Sequence, residues 1–160
     1  MPLVWRLARS EFANELDGEG SRIFGARWTS RGRNAVYTAS HLSLAVLEVY
    51  VNIPQELRDD LPILRAIQIS IPDNASARQV SQEQLSELMA RPDPPAASRR
   101  VGDDWLDRGG TLVLEVPSVL VPEETNLILN PAHPRMRDVK IVSSRSFKFD
   151  PRLIVGKSGV

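Results

Sequence analysis

The sequence contains no cysteine. That excludes disulfides, a thiolate nucleophile and thiolate metal sites. It has only two histidines and no H-E-x-x-H pattern, so a zinc hydrolase is disfavoured and no metal-ligand set is expected. No apolar run approaches the ~20 residues that a membrane helix needs. The first residues, Met1 to Arg6, lack the charged-then-apolar profile of a secretion signal. The expectation is a soluble cytoplasmic domain with no membrane association. Net charge is also missing, because 20 basic residues balance 20 acidic ones. That weighs against broad binding to nucleic acid or acidic membranes but leaves room for a local basic patch. A near-zero charge favours association, so an oligomer or an obligate partner is expected.

What is present fits one domain of 160 residues, long enough to bury roughly 70% of the surface its unfolded form exposes. Leu3 to Leu7 predicts a first strand, and Arg9 to Leu16 a short helix with Phe12 and Leu16 on one face. Asp17 to Gly20 reads as a turn. Ile23 to Trp28 and Ala35 to Thr38 predict the two arms of a β-hairpin. A helix follows, N-capped by Ser40 or Thr38, with Leu44, Leu47, Glu48 and Val51 on one stripe and an end at Asn52-Ile53-Pro54. Leu61 to Ile71 is a strand, with Ile63, Ile67, Ile69 and Ile71 at period two. Ser81 to Ala90 is a helix opening on a Ser81/Gln84 capping box. Arg91 to Arg100, with its prolines, predicts an exposed loop, and Val101 to Leu106 a short helix. Thr111 to Val116 and Asn126 to Leu129 are strands. Lys140 to Ser143 and Phe147 to Phe149 are two closing strands. Short strands in small sheets, with about three helices, predict a single α+β domain over residues 1–155, with 156–160 as a frayed tail.

The chemistry concentrates in residues 25 to 51. Glu48 is the sole formally charged residue between Arg33 and Glu56 and is crowded by apolar neighbours. It is either a solvated helix-edge carboxylate or a group placed to stabilise a developing cation, as in cleavage of an N-glycosidic bond. Arg27 is either an exposed strand-edge residue or a planar fork for a diphosphate. Trp28 and Tyr37 are either core or platforms for a nicotinamide or adenine ring. Ser118 lacks a Gly-x-Ser-x-Gly elbow, so hydrogen bonding suits it better than covalent catalysis. His133 is a weak candidate base, and His41 reads as structural.

Taken in order, the segments Gly25-Ala26-Arg27-Trp28, Val36-Tyr37-Thr38-Ala39, Ala45-Val46-Leu47-Glu48, Gly102-Asp103-Asp104-Trp105-Leu106, Val116-Pro117-Ser118 and Asn126 to Pro134 resemble the RES domain, named for its arginine, glutamate and serine. Phe147 to Leu153 is similar to its closing segment. The sequence departs from the family pattern at Ala26, where a second glycine is common, and at Thr29, where asparagine is. The resemblance implies a toxin of a bacterial toxin–antitoxin pair, with an ADP-ribosyltransferase-like fold and a Xre-like helix-turn-helix antitoxin as partner. It also implies a homodimer within a heteromeric complex. NAD+ would be substrate rather than cofactor, cleaved at the nicotinamide–ribose bond with water or phosphate as acceptor. Arg27, Tyr37, Glu48 and Ser118 would form the active site. Arg27, Trp28, Tyr37 and Ser118 would contact NAD+. The rival expectations are an ADP-ribosyltransferase acting on a protein and a non-catalytic partner-binding module. The roles of Asn130 and His133 stay open.

Overall fold

A computed structural model describes residues 2–57, 61 and 63–153. Seven strands form one sheet: β1 (Leu3–Ala8), β2 (Val36–Ala39), β3 (Leu64–Ser70), β4 (Ala77–Gln79), β5 (Val113–Pro117), β6 (Thr125–Leu129) and β7 (Lys140–Phe147). Their order is β4-β5-β6-β2-β1-β3-β7. Only β4 and β5 run parallel; the other neighbours are antiparallel. Five helices accompany the sheet: α1 (Ser10–Ala13), α2 (Glu19–Phe24), α3 (Leu42–Asn52), α4 (Gln82–Met89) and α5 (Pro94–Arg108). The architecture is α+β, as expected, although with a single sheet and more helices.

Period-two alternation distributes the core over both faces of the central strands. On β5, Val113 joins a cluster with Ile67, Ile69 and Leu129, while Leu114 and Val116 join another with Ile128, Trp28 and Trp105. A third cluster lies beneath α3, where Leu44 and Ala45 meet Leu7, Ala39 and Phe149.

Several elements differ from expectation, each for an identifiable reason. No hairpin spans residues 23–38. Ile23 and Phe24 close α2, which ends at Gly25 with φ 70, and β2 pairs with β1 and β6 instead. Gly18, with φ 74, starts that helix inside the expected turn. There an added Cβ would lie 2.5 Å from the Ala35 nitrogen, so the close approach requires glycine. The expected loop at 91–100 is instead the first half of α5. Asp93 caps it by accepting from the Ala96 amide, and Pro94 and Pro95 occupy the first turn, where a missing N–H costs nothing. Val101 to Leu106 continues the same helix until Gly109, at φ 63.

On α3 the N-cap is His41, without a side-chain bond, rather than Ser40 or Thr38. The helix is also rotated from the predicted stripe. Leu47 and Val51 are exposed, while Leu44 and Ala45 face inward. The helix ends at Asn52, as Pro54 requires. Strand β3 begins at Leu64 and leaves Ile63 exposed. The Ser81/Gln84 capping box is present. The two closing strands are one, β7, and the three-residue β4 was not anticipated. The expected tail at 156–160 lies outside the described residues, and no described helix is long and apolar enough to cross a membrane.

Candidate active site

Helix α3 presents Glu48 to the turn between β5 and β6. Strand β5 ends at Pro117, and the next residue, Ser118, donates its amide to the Glu124 carbonyl at 2.9 Å, which closes the turn. Ser118 is fully buried. Its hydroxyl accepts from the amides of Leu120 and Val121 (both 3.1 Å) and donates to Glu48 Oε1 at 2.8 Å. Asn126, opposite Ala39 and Val116 in the sheet, donates from Nδ2 to the same oxygen at 2.8 Å. Both donors are neutral. They fix the carboxylate without cancelling its charge, and among the described residues no hydrogen bond uses Oε2.

Glu48 lines a cleft of about 1210 Å³. A smaller recess of about 330 Å³ shares Tyr37, Glu48, Val49 and Asn126 with it. Among the described residues Glu48 is the one carboxylate lining either space, whereas Arg9, Arg27, Arg31 and Arg99 line the larger. A chain with no net charge therefore gathers cations around one acid. Arg6 lines the recess, where Nη1 donates to the Phe12 carbonyl at 3.1 Å, and burial lowers its pKa.

Arg27 comes from the loop between α2 and β2, and its conformation is fixed by its neighbours. Ser98 of α5 donates its hydroxyl to the Arg27 carbonyl at 2.5 Å. The Trp28 amide donates to the Tyr37 hydroxyl at 3.2 Å, and Thr29 Oγ1 lies 2.8 Å from that hydroxyl. Asp103 of α5 accepts from the Ser30 amide at 3.0 Å and the Ser30 hydroxyl at 2.6 Å. Arg33 donates to the Asp103 carbonyl at 3.1 Å and pairs with Asp107 at 2.5 Å. Gly102 allows this contact, since a Cβ there would lie 1.7 Å from the Trp28 carbonyl oxygen. The exposed Arg27 guanidinium has no partner among the described residues.

Arg27, Tyr37 and Glu48 line the same cleft. Ser118 touches it only through Glu48, because its hydroxyl is fully buried and engaged. Trp28 does not offer a stacking face. It lines the larger cleft, but it is 3% exposed and its ring packs with Trp105, Leu114 and Ile128. Burial pushes the Tyr37 phenol well above its ordinary pKa, and the bonds from Thr29 and Trp28 only partly oppose this. Its hydroxyl is neutral and serves the loop, while the residue lines the cleft. Asn130 and His133 are turn residues: Asn130 Oδ1 accepts from the Ala132 amide at 3.0 Å, and His133 Nδ1 from the Arg135 amide at 3.1 Å. His41 is exposed, 3.5 Å from Glu124. Sequence reasoning missed Asn126 and Arg99. Asn126 carried one signal, an amide opening an apolar strand; Arg99 carried none once its segment was read as a loop.

The fold and site define an α+β domain built around one pinned carboxylate in an arginine-lined cleft. Residues 3–150 match the RES domain, and the chain belongs to that family. It is 38% identical over 156 residues to a Sphingobium protein named Prs ADP-ribosylating toxin, covering 94% of this chain and 95% of the relative. It is 40% identical over 154 residues to Toxin Res of Yersinia enterocolitica, covering 94% and 99%. In structure it is similar to a chain of the M. tuberculosis MbcT-MbcA toxin–antitoxin complex, with a TM-score of 0.72 at 16% identity, over 91% of this chain and 84% of that one. That likeness concerns the fold.

Proposed function

We propose that this chain is the toxin of a toxin–antitoxin pair and that it cleaves NAD+ at the nicotinamide–ribose bond. The observation that carries the reading is Glu48, a residue of the cleft lining whose carboxylate is held by Ser118 and Asn126 through one oxygen, with no hydrogen bond to the other among the described residues. As the C–N bond breaks, its electron pair leaves with nicotinamide and the ribose acquires oxocarbenium character. A fixed carboxylate stabilises that charge without reorganising during the step. Water or phosphate then attacks C1′ through oxygen; water gives up its proton to solvent. Arg27 supplies a planar fork for the diphosphate. Ser118 and Asn126 position Glu48, and Tyr37 positions the loop that carries Arg27.

Purified protein incubated with NAD+, with and without phosphate, should release nicotinamide together with free ADP-ribose or its 1-phosphate. No release under either condition refutes the proposal. The Sphingobium relative, an ADP-ribosylating toxin by name, favours a second reading, transfer of ADP-ribose to a protein. NAD+ labelled in the ADP-ribose part separates the two, because transfer fixes label to a macromolecule.

The partner in this proposal is a Xre-like antitoxin; the likeness to a chain of a toxin–antitoxin complex supports an antitoxin as partner and leaves its type to the proposal. The cleft rim carries exposed Phe24, Val51, Leu57, Val119 and Leu120, an apolar border suited to being covered. Co-expression with the antitoxin should restore growth and yield a heteromeric complex containing two copies of this chain. A monomeric toxin within the complex, measured by light scattering, contradicts the dimer.

A further inference from the structure

We infer that Arg99 is a second cation of the diphosphate subsite, acting beside Arg27. This rests on the proposed NAD+ reading of the cleft and extends it to helix α5. Arg99 follows Ser98, whose hydroxyl bonds the Arg27 carbonyl at 2.5 Å. The two arginines therefore spring from adjoining backbone on two different elements, and both line the larger cleft. Neither guanidinium has a protein partner among the described residues. Elsewhere on the same helix, Arg108 is paired with Asp104 at 2.9 Å. Arg99 is half-buried, rooted beside Ala97 and Ser98, which are almost fully buried. Arg100, the next residue, is exposed and absent from the lining.

The charge balance matches the ligand class. Among the described residues Glu48 is the one acid lining the cleft, against Arg9, Arg27, Arg31 and Arg99, and its charge is committed at the ribose end. A dinucleotide diphosphate carries two negative charges and presents non-bridging oxygens on both phosphorus atoms. One guanidinium can satisfy a single phosphate bidentately. A second, approaching from α5, supplies the other phosphate. The ligand class is thus a nucleoside diphosphate sugar, with the diphosphate lying between the 26–33 loop and the first half of α5.

The test is calorimetric titration with ADP-ribose, which keeps the diphosphate and lacks the reacting bond. Arg99→Gln should weaken its binding about tenfold, the scale of one charge-assisted hydrogen bond. Arg100→Gln should leave binding unchanged, and both variants should unfold at the wild-type temperature. For NAD+ turnover, Arg99→Gln should raise KM by a similar factor and leave kcat within about twofold, since the lost contact is made equally in ground and transition states. The inference is overturned if Arg99→Gln binds ADP-ribose within about twofold of wild type, if Arg100→Gln loses as much, or if wild type does not bind ADP-ribose at all. Arg99-dependent binding without nicotinamide release from NAD+ supports the subsite and refutes the proposed reaction.

Discussion

Replacing Glu48 by glutamine isolates the charge of the carboxylate from its geometry. The side chain keeps its length, and its amide oxygen can still accept from Ser118 Oγ and Asn126 Nδ2, the two bonds now at 2.8 Å. These bonds change from charge-assisted to neutral, which weakens each by roughly half. Hydrogen bonds to charged groups contribute about 1.5–3 kcal/mol and neutral ones about 1. The combined stability cost should therefore stay at about 1–4 kcal/mol, or about 2–16 °C in Tm for a domain of this size. The catalytic cost should be larger relative to its own scale. Losing one preorganised electrostatic group costs about 100-fold or more in turnover, equivalent to about 2.7 kcal/mol of barrier. The assay is nicotinamide release under saturating NAD+, paired with thermal unfolding and with ADP-ribose binding. Turnover should collapse while the fold and the diphosphate affinity survive. Glu48→Ala is less informative, because it leaves the Ser118 hydroxyl and the Asn126 amide without their acceptor. Near-wild-type turnover in the glutamine variant would remove Glu48 from the mechanism.

Other outcomes follow from the same contacts. Asn126→Ala removes one of the two donors to Glu48 and should lower kcat about tenfold with KM nearly unchanged; an effect on KM alone would place Asn126 on the substrate instead. Ser118→Ala should lower kcat by a similar factor and also cost stability, because the amides of Leu120 and Val121 lose their acceptor. Gly102→Ala drives a Cβ into the Trp28 carbonyl and should displace the Arg27 loop, raising KM for NAD+ and destabilising the fold by about 1–3 kcal/mol; normal kinetics would show that the loop tolerates the shift. Tyr37 contributes a pH dependence. Its folded pKa lies above the unfolded value of about 10, so its contribution is complete below that pH and is lost as pH rises toward the folded value. In a Tyr50→Phe background the remaining phenol should ionise, by absorbance, only well above pH ~10. Titration at about 10 would mean that the hydroxyl is solvated.

The legible and illegible parts of the sequence divide along physical lines. Strand β3 was readable because Ile67 and Ile69 repeat at the strand period on a strand paired along both edges, and both are fully buried. The chain termination at Pro54 and the Ser81/Gln84 box were readable because each is a local steric or hydrogen-bonding rule. The loop that carries Arg27 was misread because its conformation is not local. Gly25 ends a helix within four residues of it, and the loop is then fastened by Tyr37 from β2 and by Ser98 and Asp103 from α5. Composition also misled at 91–100, where prolines that argue against a helix interior sit in its first turn. That misreading concealed more than an element boundary. Only when residues 94–108 are one helix do Ser98, Gly102 and Asp103 recur at helical spacing along the contact with residues 27–30. Arg27, Glu48 and Ser118 could be picked out as residue types suited to their chemistry. The side chains that hold them — Asn126 under the carboxylate and the α5 face under the arginine — became identifiable only through contacts between residues roughly 70 or more positions apart. The cleft therefore depends on α5 as much as on the helix bearing Glu48: α3 sets the acid, and α5 fastens the loop that brings Arg27 to the same cleft.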